Sequence, residues 1–287
     1  MCVKKVYDLE TLSRGGKRRR KRVVLMVRYE NLLTKNLEDM EEQVNGQANE
    51  ANNYKSHILA YRNKKVTAGD LENWLDKIEK KETPKEEKES LKQQVAEFVY
   101  NRLYERYIEP FLILSEINYD ENWKKKVEKE LNILEAGASN FNLKLGFSIM
   151  SNMCLLMETI QSFRDGIRDS HGQEPDMFKK FIKKYGETHF ALARDEKIKL
   201  ANTTKGDIYS FYQNIRNGIL HQGETKKGWR INNGDKAIDV ENKLIDAKKF
   251  LDTMDKVLKA YIGKLKSGEE SMEKCIKKLN AIIDNCK

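Results

Sequence analysis

The residues best suited to chemistry in this 287-residue chain are an arginine and a histidine five positions apart. Arg216 is followed directly by Asn217 and, four residues later, by His221. Cleaving RNA without a metal requires one proton to leave a 2′-hydroxyl and another to reach a 5′-oxygen, and a histidine with a pKa of ~6.5 can carry out either step at neutral pH. An arginine can stabilise the extra negative charge of the phosphorane with two aligned donors. These properties would suit Arg216, His221 and Asn217 as catalytic residues for such a reaction, with Asn217 binding the phosphate or orienting the other two.

The arginine–histidine pair has alternatives that the sequence leaves open. Arg216 would also suit a surface ion pair, and His221 would suit a helix C-terminus, where the helix dipole favours a cation. Arg164 and His171 form a second pair, with six residues between them. An ideal helix places Arg216 and His221 about 140° apart, so either Gly218 and the helix end distort the backbone, or a two-fold-related copy completes the site. A single histidine cannot serve as acid and base at once, and a second copy would supply the missing group.

Two basic segments are predicted to contact RNA. The segment after the histidine combines positive charges with an aromatic ring that can stack on bases, although a loop that merely packs its tryptophan fits equally. Residues 1–30 hold ten basic and three acidic side chains, so they carry +7 of the net charge of +9. Such clusters gain affinity for nucleic acids by releasing counterions, and the alternative is a solvated, frayed terminus. The predicted RNA-binding residues are Lys226, Lys227, Trp229, Arg230, Lys17, Arg18, Arg19 and Arg20.

The composition excludes several classes of protein. The chain has 3 prolines and is 34% charged, a combination typical of long helices with charged outer faces and unlike an all-β sandwich. No apolar run approaches the ~18 residues of a membrane span, and the motifs GxxxxGK[ST], GxGxxG, HExxH and GxSxG do not occur. The four cysteines show no CxxC spacing, so we expect reduced thiols, with Cys154 as a small buried hydrophobe. We predict no cofactor, no metal, no membrane contact and a cytoplasmic location.

Hydrophobic periodicity predicts the helices that must position these residues. Residues 206–223 should form the helix that carries the pair, with Asp207 as its N-cap and Gly223 as its terminator. Residues 147–163 are apolar nearly all round and should form the central buried helix. The other predicted features are helices capped by Asp70, Thr83 and Asp239, helices over residues 123–134, 178–185 and 272–283, a bend or end at Pro110, and a small β-hairpin near residues 229–238.

The motif RNGILH at residues 216–221 resembles the signature of HEPN domains, in which an arginine, a polar residue and three further residues precede a histidine. Residues 101–111, 146–166 and 216–231 follow one another as the matching segments of such domains do, and the resemblance covers roughly residues 90–265. It implies an all-α homodimer whose composite site cleaves RNA by 2′-hydroxyl attack, leaving 2′,3′-cyclic phosphate and 5′-hydroxyl ends. It also implies a role as a toxin or in antiphage defence, with a regulatory partner or antitoxin in trans. Some relatives carry a modifiable tyrosine two residues after the histidine, where this chain has Gly223.

These observations predict an all-α protein divided into four segments. Residues 1–22 form a basic arm, residues 23–85 a polar helical N-terminal extension, residues 86–267 a HEPN-like helical bundle and residues 268–287 a C-terminal helix. The expected function is that of a metal-independent endoribonuclease. The alternative is a non-catalytic module that binds nucleic acid or protein.

Overall fold

Helices make up most of the computed structural model, which describes residues 54–118 and 145–287. The basic arm, residues 23–53 of the extension and the predicted helix at 123–134 lie outside the described residues. The described residues form one compact unit. The helices are α1 (Ala68–Glu79), α2 (Lys85–Leu103), α3 (Glu109–Asn118), α4 (Gly146–Asp165), α5 (Glu174–Tyr185), α6 (Arg194–Leu200), α7 (Asn217–Gln222), α8 (Ala247–Ser267) and α9 (Met272–Asp284). The strands are β1 (Ile58–Ala60), β2 (Val66–Thr67), β3 (Arg230–Ile231), β4 (Ile238–Asp239) and β5 (Leu244–Ile245).

The central buried helix predicted from its apolar sequence is α4, which packs against α5, α8 and α9. Met153 and Phe163 are fully buried on it. Cys154 is buried among them as predicted, and burial raises the pKa of its thiol to about 12. The helix ends at Gly166, whose φ of 68° is the left-handed conformation that glycine adopts without steric cost. Because α4 contacts α8 and α9, which come much later in the chain, residues on it can face residues that are distant in sequence.

Residues 54–85 belong to the same core as the rest of the described chain. The β1–β2 hairpin and α1 bury Leu59 and Leu71 in the core that also contains α4. The cap of α1 differs from the prediction, because Thr67 is the N-cap and Asp70 is the third helical residue. Their side chains bond each other's backbone N–H groups in a capping box, which satisfies two donors that the first turn leaves open.

Pro110 does not end the long helix that precedes it. A π-helical turn, Tyr104–Ile108, follows α2, and α3 then continues to Asn118. Pro110 occupies the first turn of α3, where the missing N–H of proline disturbs the helix least. At the start of α2, Pro84 takes the N-cap position that was predicted for Thr83.

The predicted hairpin near residues 229–238 is wrong, because β3 and β4 do not pair with each other. Both pair with β5, parallel to β3 and antiparallel to β4, in a sheet of order β3-β5-β4. The turn between β3 and β4 is tied to the start of α8: the N–H of Gly234 donates to Asp246 Oδ2 at 3.1 Å, and the N–H of Asn232 donates to the Ile245 carbonyl at 3.0 Å. The segment before α8 therefore occupies the middle of the sheet.

The cap predicted at Asp239 is also wrong. Helix α8 begins at Ala247, and its N-cap is Asp246, whose Oδ1 accepts from the N–H of Lys249 at 3.0 Å. Asp239 lies in β4 and accepts from the N–H of Asn242 instead, also at 3.0 Å. Each aspartate accepts from the backbone N–H three residues later. Because residues 244–245 pair as β5, the helix begins only after the second aspartate.

The C-terminal helix forms as predicted and packs on α4 and α1. It begins after Ser271, whose hydroxyl accepts from the N–H of Lys274, and it buries Leu279 and Ile283. This helix thus belongs to the same compact unit as residues 86–267. Over residues 54–118 and 145–287, no helix combines the length and the apolar character needed to cross a membrane.

Candidate functional site

The helical segment that carries the arginine and the histidine starts later than the sequence predicts. Asp207 Oδ1 accepts from the N–H groups of Tyr209 and Ser210, at 2.7 and 3.0 Å, and so forms a turn instead of a helix cap. The Ser210 hydroxyl accepts from the N–H of Gln213 and caps the helical segment. A π-helical turn, Tyr212–Arg216, then leads into α7, and π turns often mark functional sites.

The predicted terminator of this helix is confirmed. Gly223 has a φ of 67°, and its N–H donates to the Ile219 carbonyl at 3.1 Å. The chain then folds back closely over α7, because a Cβ on Gly218 would lie 2.5 Å from the carbonyl oxygen of Glu224. Glycine at position 218 therefore allows the 224–225 backbone to pack against the helix just after Arg216.

Arg216 and His221 meet within one chain. Arg216 Nη1 lies 3.4 Å from His221 Nε2. Because α7 is regular between the two residues, they point in different directions from the helix, and the long arginine side chain bridges the gap. His221 is exposed in the last turn of α7. The angle between the two residues therefore does not require a second copy of the chain to complete the site. The need for both an acid and a base is the argument for a dimer that remains.

Three groups hold the Arg216 guanidinium. Nη1 donates to Asn217 Oδ1 at 3.0 Å, Nη2 lies 3.5 Å from Glu158 Oε2, and the guanidinium carbon lies 5.5 Å from the centre of the Tyr212 ring. Only 14% of the side chain is exposed. This contact of Asn217 Oδ1 is the one expected if Asn217 orients Arg216.

Glu158 is a member of this site that the sequence analysis missed. It lies on α4, is 14% exposed, and accepts from the Ser170 hydroxyl at 2.7 Å through Oε1. Its Oε2 and the Nε of Arg216 are buried without a hydrogen-bond partner in the described residues, so charge holds the pair together more than hydrogen-bond geometry does. The signal that could have revealed it is the single carboxylate within the apolar stretch of residues 147–163. We call Glu158, Arg216, Asn217 and His221 the Arg216 site.

A lysine from α9 also approaches this site. Lys278 Nζ donates to the Arg168 carbonyl at 2.9 Å, two residues before the serine that binds Glu158. Burial lowers the pKa of Lys278, and the negative charges of Asp169 and Glu158 oppose that shift. The C-terminal helix, which the sequence analysis separated from the bundle, thus supplies a cation whose charge reaches the site carboxylate.

The alternative pair, Arg164 and His171, does not form a comparable site. Arg164 Nε lies 3.1 Å from Glu270 Oε1, and Nη1 donates to Gln161 Oε1 at 3.0 Å. Both contacts are well buried, and the one to Glu270 ties the end of α4 to the turn between α8 and α9. His171 is exposed in the following loop, where its N–H donates to Asp169 Oδ1. Arg164 therefore has a structural role.

The predicted stacking of Trp229 on RNA is wrong. The indole is 3% exposed, and its Nε1 donates to the Ile208 carbonyl at 3.0 Å, so the loop packs its tryptophan. Lys227 and Arg230 are exposed, and Lys226 is half-buried, with its N–H donating to the Asn214 carbonyl at 3.0 Å. The remaining predicted RNA-binding residues, Lys17, Arg18, Arg19 and Arg20, lie outside the described residues.

The function of this chain has to be inferred from the Arg216 site itself. In the part of the chain that the structure describes, no three His, Cys, Asp or Glu side chains are grouped so that they could hold a metal ion. Comparison of the chain with protein-family models, curated proteins and solved structures finds no match.

Proposed function

We propose that this protein is a metal-independent endoribonuclease of the HEPN type. The observation that carries the proposal is the contact of 3.4 Å between Arg216 and His221 at an exposed helix end, with the guanidinium held by Glu158 and Asn217. An exposed imidazole beside a fixed guanidinium combines a proton carrier with a donor fork for a phosphate. The HEPN assignment rests on the resemblance of residues 216–221 and of the helices around them.

In the proposed reaction the 2′-oxygen attacks the adjacent phosphorus and the bond to the 5′-oxygen breaks. One proton leaves the 2′-hydroxyl and another joins the 5′-oxygen, which yields a 2′,3′-cyclic phosphate and a 5′-hydroxyl. His221 carries one of these protons, and Arg216 stabilises the charge of the phosphorane. Asn217 acts by orienting Arg216.

The second proton carrier in this proposal is His221 of another copy in a homodimer. In an isologous dimer each copy presents the same patch, so two histidines can meet at the two-fold axis. Leu155 on α4, one turn from Glu158, and Leu220 beside His221 are both exposed. Such an apolar rim around a charged site suits an interface.

The biological setting that we propose follows from the resemblance alone. The protein would act on RNA in the cytoplasm as a toxin or in antiphage defence. A regulatory partner or antitoxin would control it in trans, and Gly223 argues against modification of a tyrosine at that position.

The test is incubation of purified protein with RNA in EDTA, followed by analysis of the new ends. The proposal expects 5′-hydroxyl and 2′,3′-cyclic phosphate ends. Arg216→Lys should cleave ~10²–10³-fold more slowly, because an ammonium cannot replace a preorganised fork. Arg164→Lys is the matched control, since it makes the same change at a buried arginine outside the site. New ends of any other chemistry, or equal rates for the two variants, would contradict the proposal.

The alternative is a non-catalytic module that binds nucleic acid or protein. The observation that favours it is the pairing of Arg216 with Glu158, because a mostly buried ion pair also suits a purely structural arginine. In that case the Arg216 variants would lose stability, and no RNA would be cleaved by any form of the protein.

A further inference from the structure

Two lysine ammonium groups lie close to the ring of Tyr209, in the turn just before the helical segment. Lys199 Nζ is 5.4 Å and Lys243 Nζ is 5.5 Å from the centre of the Tyr209 ring. The ring is only partly buried, and the neighbouring Ile208 is 43% exposed. We call Lys199, Ile208, Tyr209 and Lys243 the Tyr209 patch. It presents an aromatic face, an apolar side chain and two positive charges together.

The backbone under this patch is held in place. Asp207 accepts from the N–H of Tyr209 at 2.7 Å, and the buried Trp229 indole donates to the Ile208 carbonyl at 3.0 Å. The two residues therefore sit on a turn that is fixed on both sides. A ring held in this way loses little conformational freedom when it binds a ligand.

Lys243 of the patch and the neighbouring Lys227 occupy unusual backbone conformations. Lys243 has a φ of 48° and Lys227 a φ of 56°, and they are two of the three non-glycine residues with positive φ in the described part of the chain. Lys243 Nζ donates to the Lys227 carbonyl at 3.1 Å. Lysine gains nothing from the left-handed region, where glycine is favoured. Retained strain of this kind indicates that the side chains serve a purpose other than stability.

We propose that the Tyr209 patch binds the single-stranded RNA that flanks the scissile bond. A base stacks on Tyr209 and contacts Ile208, while Lys199 and Lys243 contact the phosphates on either side of it. Stacking on an aromatic ring next to cations is the general mode by which single strands are held without sequence preference. That this RNA is the substrate rests on the function proposed above.

The patch is close enough to the Arg216 site to share one strand with it. Tyr209 lies seven positions before Arg216, and the helical segment that begins after Ser210 leads directly to the arginine. The predicted contacts Lys226, Lys227 and Arg230 follow α7, and the β3–β5 pairing places Arg230 opposite Leu244, directly after Lys243. One Asp is paired with the patch, because Asp195 lies 3.3 Å from Lys199 Nζ. An RNA strand would meet mainly positive charge here.

The experiment measures the binding of a fluorescent single-stranded RNA to full-length protein that carries His221→Ala, so that cleavage does not interfere. Adding Tyr209→Ala should weaken binding about 5- to 100-fold, the loss expected for one stacked base. Tyr209→Phe should bind like the parent because it keeps the ring, whereas Tyr209→Leu should weaken binding although it keeps an apolar side chain. If the alanine variant fails to fold, the difference in RNA binding between Tyr209→Phe and Tyr209→Leu still tests the proposal.

The lysine contacts are tested in the same assay at several salt concentrations. Lys243→Ala should weaken binding and lower the slope of log affinity against log salt by about 0.7, the value for one phosphate contact on a single strand. Lys248→Ala is the matched control, since it removes the same charge from a lysine paired with Asp252 on α8. The control should bind like the parent.

Unchanged RNA binding by the Tyr209→Ala and Tyr209→Leu variants would overturn the proposal, whether or not the protein cleaves RNA. If those variants instead lost binding to a polyglutamate peptide alone, the patch would belong to an acidic protein partner and the proposal would also be wrong. If Tyr209→Ala weakens RNA binding in a protein that never cleaves RNA, the catalytic proposal fails while the patch stands as an RNA-binding surface.

Discussion

The substitution Glu158→Gln separates the structural role of the Arg216 site from its chemical role. Glu158 Oε2 and Arg216 Nη2 are 3.5 Å apart, and at an effective dielectric constant of ~20 this gives a gross attraction of about 5 kcal/mol. Desolvation of the two groups cancels much of it. Glutamine keeps the size of the side chain and can still accept from Ser170, so we expect the free energy of unfolding to fall by about 1–3 kcal/mol.

The same substitution should lower both KM and kcat, for two different reasons. Removing the carboxylate removes a competitor for the guanidinium, so the phosphate binds more tightly and KM falls. Because Arg216 loses one of its three supports, it is less well aligned with the phosphorane and kcat falls as well. Urea unfolding gives the stability change, and steady-state cleavage of a short RNA in EDTA gives the kinetic constants.

Glu270→Gln is the control for this experiment. Glu270 and Arg164 lie 3.1 Å apart and are 11% and 14% exposed, so the pair resembles the first one in distance and burial. We expect a similar loss of stability with unchanged kcat and KM for the folded protein. If both variants lose activity in proportion to stability, Glu158 has no special role, and the placement of the Arg216 site is refuted.

Three further predictions concern stability and RNA binding. Burial, together with the positive charge of Lys264, lowers the pKa of His189. Because the unfolded state then binds protons more readily than the folded state, the free energy of unfolding should fall as the pH drops below ~6.5. Urea titrations at several pH values should show this dependence for the parent protein and not for His189→Gln. Lys243→Gly should raise the free energy of unfolding by up to about 1 kcal/mol by relieving the positive φ, while it weakens RNA binding; a loss of stability would contradict the strain argument. Deleting residues 1–22 should weaken RNA binding and flatten its salt dependence without changing kcat, and a loss of kcat would assign the arm to catalysis.

The helices of the fold were accessible from the sequence because their signals are local. The apolar residues of α4 repeat with the helix, and Gly223 ends α7 just as its conformational freedom predicts. The N-cap of a helix was harder to predict where two suitable capping residues lie close together. Asp239 and Asp246 are equally good N-caps by type, and the pairing of β5 decided between them.

Only part of the candidate site could be predicted from the sequence. Arg216, Asn217 and His221 are neighbours in sequence, so the resemblance of one short motif was enough to suggest them. Glu158 lies 58 positions before Arg216, and no spacing rule connects a carboxylate on α4 with a helix that packs across it. Trp229 follows two lysines in the sequence and is buried, whereas Tyr209 meets Lys199 and Lys243 only in the fold, so no local pattern indicated it.

The most direct test of the central claim is the rate of RNA cleavage in EDTA by the His221→Ala and His171→Ala variants at saturating RNA. Both changes remove an exposed histidine close to α4, but only His221 contacts the arginine. The account predicts that His221→Ala cleaves ~10²–10⁴-fold more slowly than the parent, as expected for loss of an acid–base group, while His171→Ala cleaves at the parental rate. A parental rate for His221→Ala, or a loss confined to His171→Ala, would contradict it.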